Sequence, residues 1–427
     1  MDDRLINVLG SVASVGFLPP SLQALTAACV LRRDRRPVLW IVESPEAMER
    51  AEDDLLCFLG QDQVRLFPPH DVRPYQDDSP SREIMARRIA TMNSLAENPP
   101  SVVVAPMQAV LAYTMPRPDL LECSISIGAG RIIDREELAS RLVRMGYTRE
   151  ALVDDVGQFS IRGSVMDIFS PGMTSPIRLD LFGDEVTGIK TFDVRSQRTR
   201  KGLPSILVLP AGEILLDPRH IRNARPLLRR LGEDRVRFLV EDMEQGIHSP
   251  GIESFLALFY DKNCTLLDYL PAGSVVMAPG AADAGDLWED GFKAYAHGYE
   301  RSKALGRAAV PPEETVIGKA ALLERLDGMA RRISTTEASP GGSPSFHQPE
   351  LPLQGRGSEA VFDRVVSLVK GSNDVFIFSS SEMLAERITY ALSNRGVRPD
   401  SSDGEFLMRH AGFSSRVRMI DGSLSSG

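Results

Sequence analysis

The run Val38-Leu39-Trp40-Ile41-Val42 has no polar position, which fits a strand buried on both faces of a parallel sheet. A helix-like run from Leu22 to Leu31 precedes it. Ser44-Pro45-Glu46 follows it, supplying an N-cap, a first-turn proline and a first-turn acid in that order. The helix so begun carries Met48, Leu55, Leu56 and Leu59 and stops near Gly60. Val64 to Phe67 predicts a short strand ended by Pro68-Pro69. Ile84, Met85, Ile89, Met92 and Leu95 then predict a helix over about 81–96, and Ser101 to Ala105 a second buried strand. Strands and helices alternating across short connections predict a parallel, doubly wound sheet.

The texture changes around Pro116-Arg117-Pro118. Residues 120–206 predict an antiparallel domain with one helix, Arg135 to Met145, begun by Asp134 and Glu137 in a capping-box-like spacing. From residue 207 the α/β texture returns, with strands predicted at Val236–Val240, Thr265–Leu270 and Ser274–Met277. Residues 333–358 are rich in Ser, Pro, Gly and Gln, a linker composition. Beyond them a helix (Glu359 to Lys370), a strand (Val375 to Phe378), a helix (Glu382 to Ser393) and a strand (Val417 to Ile420) make a thin core that reads as a domain cut short. The predicted fold class is α/β. A parallel-sheet domain in two segments, 1–119 and 207–332, is interrupted by a small antiparallel α+β insert at 120–206. The linker at 333–358 then leads to a partial α/β domain at 359–427.

Composition narrows the function classes. The 427 residues are 43% hydrophobic and 25% charged, as in ordinary soluble domains. Without a membrane-length apolar run or a signal peptide, a cytoplasmic location is expected. A net charge of −9 argues against a nonspecific clamp on nucleic acid but leaves room for a local basic patch. Cys29, Cys57, Cys123 and Cys264 are far apart and the histidines scattered, so neither a disulfide framework nor a metal site is expected.

The opening of the parallel-sheet domain is where a phosphate-binding loop would lie. That loop needs glycines whose N–H groups wrap phosphate, a lysine and a hydroxyl for magnesium. The stretch from Gly16 to Gln23 has the right place and length, but Ser21, Leu22 and Gln23 stand where the second Gly, the Lys and the Thr are needed. Pro19 and Pro20 remove two N–H donors. The loop is degenerate, no catalytic residue is assigned, and no cofactor is expected for this chain.

The most informative pattern is Ile177-Arg178-Leu179-Asp180-Leu181-Phe182, followed by Gly183-Asp184 and Glu185-Val186-Thr187-Gly188-Ile189. Gly-Asp between alternating runs predicts a hairpin. Strict alternation puts Ile177, Leu179, Leu181 and Val186 on a core face. Arg178, Asp180, Phe182, Glu185, Thr187 and, further on, Ile189 fall on the other. Spacing leaves two readings open. Phe182 beside an arginine is an interface anchor, or Phe182 packs under a loop while Arg178 pairs with Asp180 or Glu185.

The runs Phe159-Ser160-Ile161-Arg162-Gly163-Ser164-Val165-Met166-Asp167-Ile168-Phe169-Ser170-Pro171 and Pro176 to Glu185, with Thr191-Phe192-Asp193 and Ser196-Gln197-Arg198-Thr199, resemble the UvrB-homology module of bacterial transcription-repair coupling factors. Phe67-Pro68, Pro74-Tyr75, Leu209-Pro210-Ala211-Gly212-Glu213 and Gly251-Ile252-Glu253-Ser254-Phe255 extend the resemblance over nearly the whole chain. UvrB itself differs in keeping a working phosphate loop and a long Tyr-rich hairpin, for which Pro116 to Ile132 leaves no room. The resemblance implies that the insert docks the excision-repair protein UvrA through Arg162, Arg178 and Phe182. It also implies that RNA polymerase and DNA are engaged by other domains, with ATP and magnesium serving a motor beyond this chain.

Overall fold

The structure is a computed structural model that describes residues 15, 18–97, 101–336, 358–371, 375–379, 381–403, 417–421 and 424. Helix Pro20–Asp34 leads into β1 (Val38–Val42), and helix Pro45–Leu56 into β2 (Val64–Leu66). Helix Arg82–Glu97 then leads into β3 (Val102–Pro106). Ser44 caps its helix as the pattern predicts, its hydroxyl accepting from Ala47 N at 3.2 Å.

The insert begins with β4 (Ile125–Gly128) and helix Arg135–Arg144. It continues through β5 (Thr148–Arg149), β6 (Gln158–Arg162), β7 (Val165–Ile168), β8 (Ile177–Phe182), β9 (Glu185–Phe192), β10 (Thr199–Gly202) and β11 (Ser205–Val208). The chain returns to the first domain through a helical stretch and adds β12 (Val275–Ala278) and β13 (Arg331–Ser334). Last come β14 (Val375–Ser379), β15 (Asp400–Asp403) and β16 (Val417–Asp421) with two helices.

The parallel sheet has the order β13-β12-β1-β3-β2, so its strands come from both sides of the insert. Every residue of β1 and β3 is buried, as the all-apolar runs predict. Leu39, Ile41, Val103 and Ala105 face one core, and Val38, Trp40, Val42, Val102 and Val104 face another. The insert forms a six-stranded sheet, β10-β9-β8-β7-β6-β5, antiparallel except for the β5–β6 pair. A third sheet, β14-β16-β15, is parallel and meets the first domain where Phe378 packs edge-on to Phe58 at 5.9 Å.

Two predicted strands are helical. Val236–Val240 lies within helix Glu233–Glu244, where Val236, Val240 and Met243 are buried at helical spacing. A five-residue apolar run does not by itself separate strand from helix, and Glu233 and Asp234 favour a helix start. Thr265–Leu270 holds the short 3-10 helix Leu266–Tyr269, because Thr265 and Asp268 form a capping box. β13 runs through residues placed at the start of the linker, and 337–357 lie outside the described residues. Among the described residues no helix is long and apolar enough to cross a membrane, and no His/Cys/Asp/Glu group could hold a metal.

The insert is tied down at both of its chain crossings. β4 and β11 zip antiparallel, Ile125 opposite Val208 and Gly128 opposite Ser205. Just beyond β11, Glu213 is fully buried against Arg88 of helix Arg82–Glu97. Thr114 Oγ1 donates to the same carboxylate at 2.6 Å, and Tyr260 Oη donates to the Glu213 carbonyl at 2.7 Å. Arg88 also donates to Pro68 O at 2.8 Å and stacks over Phe67 at 4.0 Å. Burial alone would raise the Glu213 pKa, but the Arg88 charge outweighs it and holds the carboxyl well below the usual glutamate range.

A carboxyl depressed by folding contributes stability that is present above its unfolded pKa and lost as pH falls toward its folded pKa. Glu213→Gln strands the Arg88 charge and is expected to lower unfolding free energy by about 3–5 kcal/mol at neutral pH. Urea denaturation at neutral pH and at about pH 3 checks this, the gap between wild type and variant narrowing in acid. An equal gap at both values would mean the pair is not the source.

Candidate functional site

The β8–β9 hairpin forms as the alternation predicts. Gly183 supplies the turn with φ +59°, and Phe182 pairs with Glu185 across it. Ile177, Leu179, Leu181 and Val186 are buried as expected. Ile189 is not on the outer face: it is buried opposite Leu179. Leu181 pairs with Val186 and Asp180 with Gly188, so Thr187 is an extra residue that bulges out and reverses the alternation after it.

Asp167 on β7 has no exposed side-chain surface, and two arginines converge on it. Arg178 on β8, directly opposite, donates from Nε at 2.8 Å and from Nη2 at 2.9 Å, a bidentate fork. Arg162 at the end of β6 donates from Nη2 at 2.6 Å to Oδ2. Arg178 also donates to Gln197 O at 3.2 Å and lies over Phe192 at 4.6 Å. The hydrogen bond to Asp167 raises its pKa above the ordinary arginine value against the opposing effect of burial. Gln197 holds a left-handed backbone, φ +56°, and its amide donates to Val194 O at 2.9 Å.

The three expected site residues therefore have different surroundings. Phe182 is 80% exposed at the hairpin tip, packed under nothing. The Arg162 side chain is 42% exposed, with one bond to Asp167. The Arg178 side chain is only 16% exposed, its donors engaged within the insert. Neither partner considered for Arg178 in the hairpin is the real one, since Asp180 pairs with Lys190 Nζ at 2.8 Å. Asp167 and Gln197 were not singled out as site residues. Asp167 interrupts an apolar stretch, Val165-Met166-Asp167-Ile168, and an acid at that register is the signal that could have found it.

At the degenerate phosphate loop, Gly16 lies outside the described residues. Ser21 is buried on the first turn of helix Pro20–Asp34, whose N-cap, Pro19, offers no side-chain cap. The N–H groups of Leu22 and Gln23 are already spent on Pro19 O, at 2.9 and 3.0 Å, and the Gln23 amide donates to Leu18 O at 3.0 Å. A crevice of about 450 Å³ opens beside this turn, past the carboxyl ends of β1, β12 and β13. That is where open α/β sheets bind ligands. Among the described residues, Glu43, Asp283 and Asp286 line it together with Arg50.

Residues 125–213 match the family described as the UvrB interaction domain. The chain is 29% identical to the transcription-repair-coupling factor of Myxococcus xanthus, over 74% of this chain and 27% of that protein. It is 28% identical to the Bacillus subtilis protein of the same name, over 61% of this chain and 23% of that protein. The Staphylococcus haemolyticus protein is 26% identical over 61% of this chain and 24% of its own length. The chain thus spans about a quarter of the length of the curated relatives it matches. Its insert thus matches the UvrB interaction domain, and over most of its own length the chain is similar to transcription-repair-coupling factors.

Proposed function

We propose that the insert docks UvrA, so that a protein containing this chain recruits nucleotide excision repair to stalled RNA polymerase. The observation that carries the reading is Phe182, 80% exposed at the hairpin tip within the residues that match the UvrB interaction domain. Arg162, half free and fixed by Asp167, stands on the same sheet. A large apolar side chain beside a guanidinium is the composition of binding hot spots. In this reading Phe182 and Arg162 touch the partner. Arg178 acts mainly through Asp167, which it neutralises and thereby orients toward Arg162. Polymerase engagement and ATP-driven movement on DNA belong, in the same reading, to portions of such a protein that this chain does not span.

A nucleotide-driven helicase is the competing class. The crevice beside helix Pro20–Asp34 counts against it for this chain, because its carboxylates Glu43, Asp283 and Asp286 repel a triphosphate and the N–H groups of Leu22 and Gln23 are already bonded to Pro19 O. Calorimetric titration with ATP and magnesium should show no heat of binding up to millimolar nucleotide. Saturable binding would overturn this part of the reading.

Titration against purified UvrA tests the rest. Phe182→Ala and Arg162→Ala should each weaken binding by about 1–3 kcal/mol with unchanged melting temperatures. Arg178→Ala should also lower the melting temperature, because it removes the fork from a buried carboxylate at a cost of about 2–4 kcal/mol. No binding by the wild-type chain would sink the docking reading.

A further inference from the structure

We propose that Ile132 is a second apolar anchor of the UvrA-docking face, entering the same partner cleft as Phe182. The proposal rests on the docking reading above and adds to it a residue from a different part of the chain. Ile132 lies between β4 and helix Arg135–Arg144, outside the hairpin. Its backbone nevertheless joins the sheet. Ile132 forms an antiparallel bridge with Glu185. Flanking bonds fix that bridge: Gly130 N donates to Val186 O at 2.7 Å, Val186 N to Arg131 O at 2.9 Å, and Ile133 N to Asp184 O at 2.8 Å.

Phe182 pairs with Glu185 from the other side. Directly opposed residues project from the same face, so Phe182, Glu185 and Ile132 form one row across the sheet rim. At about 5 Å per pairing, the two apolar members stand roughly 10 Å apart. Ile133 turns inward and packs on the core, which leaves Ile132 pointing out. Ile132 is 81% exposed, and together with Phe182 it is the most exposed of the large hydrophobic side chains among the described residues.

A lone exposed isoleucine needs no explanation, but two large apolar side chains in register on either side of Glu185 at one rim make a pair of anchors that share one docking face. The pair is continuous with the face that carries Arg162. Arg135, three residues beyond Ile132, donates to Gly163 O at 2.7 Å and so ties this segment to the turn that follows Arg162. Both anchors stand on hydrogen-bonded backbone, so little ordering is needed on binding. A partner that fits has a cleft long enough to take both side chains, with a hydrogen-bond donor for the Glu185 carboxylate between them and a carboxylate facing Arg162. Two side chains bury far less than the roughly 1,200 Å² a stable complex needs, so the pair is part of a larger heterologous contact rather than a dimer seam.

The test is a titration of purified UvrA with the whole chain as wild type, Ile132→Ala, Ile132→Asp, Phe182→Ala and the Ile132→Ala/Phe182→Ala double variant. Thermal melts and sedimentation accompany each. Ile132→Ala should weaken binding roughly tenfold and Ile132→Asp further, with melts unchanged. The double variant should lose less than the product of the two single losses, because both side chains occupy one cleft. Wild-type affinity in Ile132→Asp, alongside a weakened Phe182→Ala, would overturn this inference and leave the docking reading standing. Absence of binding by the wild type would overturn both. A wild-type dimer that Ile132→Asp dissociates would assign the pair to self-association and also overturn the inference.

Discussion

Glu213 has no exposed surface, and the guanidinium of Arg88 is what makes that position tenable. The pair joins the outgoing end of the insert to a helix of the parallel-sheet domain, and the β4–β11 zipper joins the two chain crossings to each other. The two crossings are thus paired with each other, and the outgoing one is anchored to the first domain. The same pair draws in Thr114, Pro68 and Phe67, so residues near the strand ends, the helix and the insert meet at one buried charge pair. Breaking it would leave a buried charge uncompensated, which is why the cost would exceed that of any surface ion pair.

A second buried carboxylate, Asp167, does the corresponding work inside the insert. It fixes Arg178 by a bidentate fork and Arg162 by a single bond. Arg178 closes over Phe192 and the Gln197 turn, which covers that part of the outer face. Arg162 keeps much of its surface free, and Phe182 nearly all of it. One acid thus sorts two arginines of similar sequence context into a largely structural one and a displayed one.

The two ends of the chain's chemistry diverge. The crevice where an α/β sheet would take a nucleotide is lined by acids and capped by prolines. The face proposed to dock a partner lies instead on the insert, where Phe182 is exposed.

Much of this was legible in the residues. All-apolar runs at Val38–Val42 and Val102–Ala105 specify doubly buried strands, because no polar position could face water. Ser44, Asp134 and Gly183 specify two helix starts and a turn, because each satisfies or permits a local backbone geometry. Short apolar runs were not decisive: Val236–Val240 became helix because its burial depends on what packs beside it. The bulge at Thr187, the choice of Asp167 over Asp180 as partner for Arg178, and the row that brings Ile132 beside Phe182 depend on strand register. Local patterning determined which elements form and which face of each is apolar. Only the tertiary structure decided which charges meet and which side chains stay uncovered, because those outcomes depend on groups that are distant in sequence and adjacent only after pairing.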